Sequence, residues 1–321
     1  MKAAVYYQNG GPEVLKYEDV PDPECHPKGV VIRVEAVSIE GGDTLNRWHG
    51  ALFSKPHVVG YQAGGEIVQV GAEVTDLKVG QKVTTVNAMG SHAALRSVPA
   101  RNAWPVPKGF DIKLAAAIPV PFGTADDCLF EFGRLKAGET VLVQAGASGV
   151  GVAAIQLAKR GGARLVLATA SSDERLEKLK PLGLDEGINY KRDDVVKEVM
   201  RLTGGQGCDV IVDSVGGPTL QTSILSLAYR GRVSMVGQAG REPMNVDVGS
   251  MMAGNRSLTG VFLGAEIITD RVHNNIQRLI DDAARGELEV LIDKTFPLSE
   301  AAAAHRYIES RQAVGRVVLI P

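Results

Sequence analysis

The sequence predicts an α/β protein with two domains, a compact, mostly antiparallel β barrel and a doubly wound parallel sheet. The first hundred residues are rich in β-branched runs separated by Gly, Pro and Asp. Strand and helix patterns then alternate, and a glycine-rich turn follows the first strand of that series. At 321 residues, the chain is long enough for two cores. We expect residues 1–120, completed by 263–321, to form the barrel domain and residues 121–262 to form the parallel-sheet domain.

The barrel is predicted from short strand patterns without a long helical pattern between them. The three clearest strands cover residues 30–37, 65–71 and 82–86. Residues 315–320, near the end of the sequence, form another apolar run. We expect this last strand to return to the barrel domain.

The parallel sheet is predicted from the alternation that follows. Its expected strands cover residues 140–143, 164–169, 210–214, 232–236 and 257–262, with helices at 150–159 and near 173–180. A helical segment at 114–132, broken at Pro119 and Pro121, precedes the sheet. Two tail helices are expected near 271–285 and 299–310.

The turn after the first parallel strand predicts a dinucleotide site. It comprises Gly146, Ala147, Ser148, Gly149, Val150 and Gly151. Glycines let backbone N–H groups approach a pyrophosphate, and the N-terminus of the following helix then faces the anion. A plain turn with glycines kept for packing is the alternative. The βαβ context favours the nucleotide.

The end of the second parallel strand favours NADPH over NADH. Folds that prefer NADH place an acid there to bind the ribose 2′-hydroxyl, but this chain has Thr169. Thr169 and Ser171 are neutral donors, and Arg175 can make a charge-assisted contact to a 2′-phosphate. Alternatively, Arg175 pairs with Asp173 or Glu177 on a solvated helix face.

Two further turns, at residues 213–217 and 236–240, follow predicted parallel strands. Ligands of open α/β sheets bind outside the carboxyl ends of the strands, so these loops should flank the ribose and nicotinamide. Plain glycine turns are the alternative. The cofactor contacts expected here are Ser214, Val215, Gly237 and Gln238, and Arg316 of the closing strand completes the predicted set.

Composition excludes several classes of partner. A net charge of −2 and a pI near 6.3 give no electrostatic reason for binding nucleic acid or an anionic membrane. The sequence has no run of 18 apolar residues, so no membrane-spanning helix is predicted. The three cysteines are far apart in the sequence, which favours a reducing compartment, and we expect a cytoplasmic protein.

Taken with these motifs, the chain resembles the medium-chain dehydrogenase/reductase superfamily, in its zinc-free NADPH:quinone oxidoreductase (zeta-crystallin-like) branch. The resemblance covers essentially the whole length. It rests on residues 10–15 (GGPEVL), 60–65 (GYQAGG), 146–151 (GASGVG), 188–190 (INY), 212–216 (VDSVG) and 319–321 (LIP).

The resemblance implies a GroES-like catalytic barrel joined to a Rossmann domain. It implies Tyr190 and Arg175 as contacts to the adenosine 2′-phosphate, and Thr124 as a residue near the nicotinamide. Members are usually homodimers or homotetramers, so a homo-oligomer, most simply a dimer, is expected.

The catalytic zinc of the related alcohol dehydrogenases has no ligands here. Those enzymes supply a Cys and a Gly-His-Glu motif, where this chain reads VSIE at 37–40 and GYQ at 60–62. Zinc needs about three thiolate, imidazole or carboxylate ligands. We therefore predict no metal.

Without a Lewis acid, reduction of an activated acceptor is easier than alcohol oxidation. The predicted acceptor is a quinone or an activated alkene, such as an enone, a 2-alkenal or a haloacrylate. Related quinone reductases have an Asn and a Tyr in the region matching Glu40 and Leu45, so the quinone-site polar pair is not carried over.

Four residues are the candidates for catalysis. Glu40 is a proton relay or a solvated acid, and Asp43 is an active-site acid or a structural hydrogen-bond acceptor. Tyr61 donates to a substrate carbonyl or fills the space of the missing metal, and Thr124 contacts cofactor or substrate. A different class of function stays open, an NADPH-binding structural or regulatory protein with little catalysis, because the superfamily contains crystallin-like and vesicle-associated members.

Overall fold

The structure, a computed structural model, describes residues 1–321 and divides into two units. The first unit is Met1–Val120 with Gly264–Pro321, and the second is Pro121–Leu263. The strands of the first unit are β1 (Lys2–Tyr6), β2 (Lys16–Asp19), β3 (Gly29–Ser38), β4 (His57–Val58), β5 (Gln62–Val70), β6 (Lys82–Val86), β7 (Leu95–Pro99) and β8 (Ala103–Pro105). The second unit contains β9 (Thr140–Val143), β10 (Leu165–Ala170), β11 (Glu186–Asn189), β12 (Cys208–Asp213), β13 (Leu227–Met235) and β14 (Ser257–Gly260). The chain then adds β15 (Ile292–Pro297) and β16 (Arg316–Ile320) to the first unit.

Eleven α-helices connect or flank the strands. They are α1 (Gly41–His49), α2 (Ile112–Ala115), α3 (Pro119–Asp126), α4 (Gly149–Arg160), α5 (Asp173–Glu177), α6 (Val195–Leu202), α7 (Pro218–Leu225), α8 (Gly249–Met252), α9 (Leu263–Glu266), α10 (Asp270–Ala284) and α11 (Ala301–Glu309). None of the helices is both long and apolar enough to cross a membrane.

The sheets of the first unit are mostly antiparallel. Strand β3 pairs antiparallel with β5, β7 and β16, and only the β15–β16 pair is parallel. Nearly every side chain of β3 is buried, which explains its run of β-branched residues. The return of the closing strand to this unit is confirmed by the β16–β3 pairing.

The second unit is built on a six-stranded sheet with the order β11-β10-β9-β12-β13-β14. All of its strand pairs are parallel. The buried run of β9 and the nearly buried run of β10 are typical of parallel strands covered on both faces. In this doubly wound topology the strand order reverses between β9 and β12, and such folds bind ligands at that point. The predicted fold class is confirmed.

Two helical predictions differ from the structure. The expected break at Pro119 is present, since α2 ends at Ala115 and α3 begins at Pro119, but Pro121 lies inside the first turn of α3 and does not break it, because the first turn of a helix needs no proline N–H. The expected helix at 173–180 ends at Glu177, and a 3₁₀ turn at Lys180–Leu182 follows.

Helix α1 is among the helices that were not predicted. Helix α1 lies inside the barrel half and begins with two glycines, which are typical of loops. The N–H of Glu40 donates to Asp43 Oδ2 at 2.8 Å, so the helix start is closed by a carboxylate within its own first turn.

Candidate functional site

The glycine-rich turn between β9 and α4 is held by close packing. The N–H of Gly146 donates to the carbonyl of Thr169 at 2.8 Å, and a Cβ on Gly146 would lie 2.7 Å from Ala168 Cβ. A Cβ on Gly151 would lie 2.5 Å from the carbonyl oxygen of Ala145. Both distances are too short for a side chain, so the turn requires these glycines.

The N-terminus of α4 offers backbone donors to a ligand. The first N–H groups of a helix have no acceptor within the helix. Ser148 Oγ accepts from the N–H of Gly151 at 3.1 Å, which leaves the N–H groups of Gly149 and Val150 at the first turn. An anion such as a pyrophosphate fits such a site through these donors and the helix dipole.

Thr169 is the penultimate residue of β10, and its hydroxyl group is not presented to a ligand. The hydroxyl donates to Gln144 Oε1 at 2.8 Å and accepts from the N–H of Ala145 at 3.1 Å. Gln144 Nε2 donates to Ser223 Oγ at 3.1 Å, and the Ser223 hydroxyl donates to Asp213 Oδ2 at 2.8 Å. This buried chain joins the ends of β9, β10 and β12. The expectation of Thr169 as a neutral donor to the 2′-phosphate is therefore replaced by a role in holding the turn.

Asp213 also organises the loop after β12. Its Oδ1 accepts from the N–H groups of Val215 and Gly216, both at 2.9 Å. Burial raises the pKa of this carboxyl, and the three donors act against that shift. The loop is thus bent back onto the strand end.

The loops after β12 and β13 are bonded to each other. The N–H of Ala239 donates to the Ser214 carbonyl at 3.2 Å, and that of Gly240 donates to the Val215 carbonyl at 2.9 Å. A Cβ on Gly237 would lie 2.8 Å from the Ser214 carbonyl oxygen. The structure therefore brings together the predicted residues Ser214, Val215, Gly237 and Gln238.

The predicted 2′-phosphate residues form a cluster at the ends of β10 and β11. Arg175 Nη1 donates to Ser171 Oγ at 2.9 Å. The N–H of Tyr190 donates to the Ala170 carbonyl at 3.1 Å, which places Tyr190 beside Ser171. The Tyr190 side chain is 43% exposed. A cation, a hydroxyl and an exposed phenol are thus placed at one strand end.

Asp173 has a partner that the sequence did not predict. Arg192 Nη1 lies 2.6 Å from Asp173 Oδ2, and Asn189 Nδ2 donates to Asp173 Oδ1 at 3.2 Å. These donors lower the pKa of the Asp173 carboxyl. Arg192 is 19 residues away, so no short-range pattern signals the pair.

In the first unit, Glu40 is held in a buried ion pair with Arg316. Arg316 Nη2 donates to Glu40 Oε1 and to the carbonyl of Ile39, and its Nε donates to Ser38 Oγ at 2.9 Å. Gln62 Nε2 donates to the same Glu40 oxygen. Glu40 is 5% exposed and Arg316 is 7% exposed. Burial raises the pKa of Glu40 to about 7, and Arg316 opposes the shift.

Arg316 was predicted as a cofactor contact and Glu40 as a proton relay or a solvated acid. Glu40 is buried, so the solvated interpretation is wrong. A role for Arg316 toward the cofactor stays a prediction, and the structure shows in addition that its charge is balanced by Glu40.

Asp43 has the hydrogen bonds of a structural acid. Its Oδ2 accepts from the N–H of Glu40 at 2.8 Å, and its Oδ1 accepts from the N–H of Tyr61 at 3.1 Å. Burial raises the pKa of Asp43 to about 8. The carboxyl joins the start of α1 to the segment before β5.

Tyr61 lies over the start of α1. Its phenol oxygen accepts from Asn46 Nδ2 at 2.9 Å, and a Cβ on Gly42 would lie 2.4 Å from the ring. Burial raises the pKa of the phenol to about 12, so Tyr61 keeps its proton. The Tyr61 oxygen accepts the hydrogen bond from Asn46, and its O–H can still donate a hydrogen bond to a second group.

Two residues that hold this cluster were missed in the sequence. Gln62 Oε1 accepts from the N–H of Val120 at 2.9 Å, while its amide nitrogen binds Glu40. The buried Arg96 donates to five main-chain carbonyls, those of Gly60, Tyr61, Thr85, Asn87 and Met89. Gln62 lies within the 60–65 motif but was not named as a site residue, and Arg96 belongs to no motif that the sequence analysis used.

The structure brings Glu40, Asp43, Tyr61 and Arg316 together in the first unit. Thr124, the fourth catalytic candidate, is buried in α3 and belongs to the second unit. Its role stays a prediction.

The donor set around Ser38 and Tyr61 is unsuited to a metal cation. Ser38 Oγ accepts a hydrogen bond from the guanidinium of Arg316, so a positively charged group already contacts Ser38. Tyr61 offers a protonated phenol. Across residues 1–321, no group of three or more His, Cys, Asp or Glu side chains could hold a metal ion.

Comparison with known proteins identifies the family. Residues 26–108 match the alcohol dehydrogenase GroES-like domain family, and residues 149–283 match the family described as zinc-binding dehydrogenase. The chain is 33% identical to a 2-haloacrylate reductase of a Burkholderia species, over 99% of this chain and 98% of the relative. It is also 33% identical to a quinone oxidoreductase of Pseudomonas aeruginosa, over 97% of each. A synaptic vesicle membrane protein VAT-1 homolog of Danio rerio is 30% identical, over 90% of this chain and 63% of the relative.

Solved structures agree with this assignment. The quinone oxidoreductase of Escherichia coli complexed with NADPH superposes with a TM-score of 0.94 at 28% identity, over 100% of both chains. A mycobacterial protein complexed with NADPH gives a TM-score of 0.94 at 32% identity, again over 100% of both chains. The chain therefore belongs to the medium-chain dehydrogenase/reductase superfamily, in its quinone oxidoreductase branch.

Proposed function

We propose that this protein is an NADPH-dependent, zinc-independent reductase that transfers a hydride to a quinone or to an activated alkene. The observation that carries the proposal is the nucleotide cradle, in which a close-packed glycine turn precedes the free N–H groups of α4. The second unit is then the NADPH-binding domain and the first is the catalytic domain.

NADPH supplies the hydride when it is bound. We assign the pyrophosphate to the N–H groups of Gly149 and Val150. We assign the adenosine 2′-phosphate to Arg175, Ser171 and Tyr190, because the guanidinium and the serine hydroxyl are bonded to each other at the strand end where an acid would repel the phosphate. The loops at 213–217 and 236–240 would flank the ribose and nicotinamide.

Zinc independence is supported by the residues at the positions of the missing ligands. Ser38 is bonded to Arg316, and Tyr61 is a protonated phenol. The segment matched to the zinc-binding dehydrogenase family, 149–283, includes neither position. Cationic Arg316 at this place disfavours a second cation.

The first unit offers a hydrogen-bond donor for the acceptor oxygen. Reduction of a quinone or enone places negative charge on an oxygen, and donors aimed at that oxygen stabilise the transition state. We assign this role to the Tyr61 O–H, oriented by Asn46. Asp43 fixes the Tyr61 segment, and Thr124 is proposed as a contact to the nicotinamide.

The relatives support both classes of acceptor, because one is a 2-haloacrylate reductase and another is a quinone oxidoreductase. The relative described as a synaptic vesicle membrane protein homolog supports a second candidate function, that of an NADPH-binding protein with little catalysis. The two candidates differ in turnover, not in cofactor binding.

We also propose a cytoplasmic homodimer. All three cysteines are free thiols, which agrees with a reducing compartment. β14 pairs only with β13 and leaves an open sheet edge, and Phe262, just beyond it, is 69% exposed. Light scattering of the purified protein measures the oligomeric state, and a monomer would contradict the proposal.

The function is tested by mixing purified, chelator-treated protein with NADPH and a panel of quinones, enones, 2-alkenals and haloacrylates. We expect oxidation of NADPH with at least one acceptor class and no increase when zinc is added. Tight NADPH binding without turnover on any acceptor would favour the binding protein. Turnover only after zinc addition would contradict zinc independence.

A further inference from the structure

The cations around Glu40 are already committed to partners within the first unit. Arg316 is paired with Glu40, and the buried Arg47 is paired with Glu309 while its Nη1 contacts His305. The third buried guanidinium, Arg96, is surrounded by main-chain carbonyls. No guanidinium of this group is left for an anionic ligand.

The same region holds two buried carboxyl groups. Glu40 is the N-cap residue of α1 and Asp43 lies in its first turn, where it accepts a hydrogen bond from the Glu40 N–H. A carboxylate brought next to them would lose its hydration in a poorly solvated site, with no unpaired cation to offset that loss. An uncharged carbonyl acceptor meets no such penalty and still accepts a hydrogen bond from Tyr61.

We propose that Glu40 is a specificity-determining residue, which neutralises Arg316 and so makes the site select uncharged acceptors over carboxylates. The inference rests on the proposed function and names its substrate class, neutral quinones, enones, alkenals and esters. In each alkene reduction the β-carbon takes a hydride from NADPH and the α-carbon takes a solvent proton, giving the saturated product and NADP⁺.

Methyl 2-chloroacrylate and 2-chloroacrylate test the inference, because they share one alkene and differ in charge. The ratio of their kcat/KM values, ester over acid, is measured for the wild type and for Glu40→Gln. The rates at which a small thiol adds to the two compounds give their intrinsic reactivity ratio. We expect the wild-type ratio to exceed the intrinsic ratio by about tenfold or more, equivalent to about 1.4 kcal/mol.

Glu40→Gln keeps the size of the side chain and removes the charge that balances Arg316. We expect the ester-to-acid ratio to fall by about tenfold, because the unbalanced positive charge of Arg316 then favours the carboxylate. In the double variant Glu40→Gln/Arg316→Gln both charges are gone, and the ratio should return toward that of the wild type. Thermal unfolding shows which variants are folded, and Glu40→Asn replaces Glu40→Gln if the latter is not.

The matched control is Glu66→Gln, which removes one negative charge from the same unit. Glu66 pairs with Arg33 and Lys82, whose side chains are about half exposed, and it lies outside the Glu40 cluster. We expect its ratio to stay within about twofold of the wild type, since surface ion pairs are strongly screened.

An ester-to-acid ratio equal to or below the intrinsic ratio in the wild type would overturn the inference, whether or not the variants fold. So would an unchanged ratio in a folded Glu40 variant while the ester is still reduced. If no quinone, enone, ester or acid oxidises NADPH, the proposed function itself has failed, and the inference falls with it.

Discussion

The hydroxyl group of Thr169 is part of a buried hydrogen-bond chain that runs through Gln144 and Ser223 to Asp213. The sequence predicts Thr169 as a neutral donor to a 2′-phosphate, but the structure uses its hydroxyl group to hold the turn. Only the positions of Gln144 and Ser223, on other elements, reveal this role.

Replacing Thr169 with Val removes this hydroxyl group without a large change in volume. Gln144 and Ala145 would each lose a buried partner, so we expect the free energy of unfolding to fall by about 1–3 kcal/mol, measured by denaturant titration. The KM values for NADPH and NADH should rise together. Thr169→Ser, which keeps the hydroxyl, is the control, and a loss confined to NADPH would contradict the structural role.

For Arg175→Ala we expect the KM for NADPH to change far more than the KM for NADH. A charge-assisted contact to a 2′-phosphate is made with NADPH but not with NADH, and its loss costs about 1.5–3 kcal/mol. Steady-state kinetics should therefore show a KM for NADPH raised by about tenfold or more, with a small change for NADH. An equal change for both cofactors would show that Arg175 does not bind the extra phosphate.

At the scale of elements, the N-terminal cap of α4 should affect both the stability of the helix and the binding of a ligand at its first turn. The side chain of Ser148 accepts from the N–H of Gly151 and fixes the first turn. Ser148→Ala should lower the free energy of unfolding by about 1 kcal/mol and also raise the KM for NADPH, because the donors of that turn lose their fixed direction.

A second capped helix provides the control. Asp194 caps α6 by accepting from the N–H of Lys197 at 3.2 Å. Asp194→Ala should cost a similar stability but leave the KM for NADPH unchanged. If both variants change nucleotide binding equally, the effect of Ser148 is one of general stability.

Five of the six strands of the parallel sheet could be predicted, most of them from a buried apolar run followed by a turn, while the short edge strand β11 was missed. The sequence does not predict α1, since Gly41 and Gly42 disfavour a helix and its stability comes from packing with Tyr61 and from the Asp43 cap. The ion pair of Glu40 with Arg316 joins residues 276 apart, and no local pattern predicts it. The sequence thus predicts the residues of the motifs, but it does not predict the residues that hold them in place.

At the scale of the whole molecule, buried titratable groups make stability depend on pH. Burial raises the pKa of Glu40 to about 7 and of Asp43 to about 8, so folding favours their protonated forms. Their contribution is complete below the pKa values of the unfolded chain, near 4, and is lost as the pH rises through the folded values. The buried histidines oppose this only at lower pH, because burial lowers the pKa of His92 to about 3 and that of His305 well below 6.5.

We therefore expect the free energy of unfolding to fall between pH 6.5 and pH 8.5, by at most about 1.4 kcal/mol per pH unit for each acid. Denaturant titrations across this range measure the slope. The slope should be shallower in Glu40→Gln, which has one of the two acids removed. A stability that rises with pH over this range would contradict the folded-state protonation of Glu40 and Asp43.

The central claim is that the protein moves a hydride from NADPH to an activated acceptor without a metal. NADPH deuterated at the transferred position is incubated with chelator-treated protein and an enone, and the product is analysed by mass spectrometry and NMR. The account predicts one deuterium at the β-carbon of the saturated ketone for each NADPH oxidised. Unlabelled product would contradict the claim. So would protein that binds NADPH tightly but reduces neither the enone nor any other acceptor.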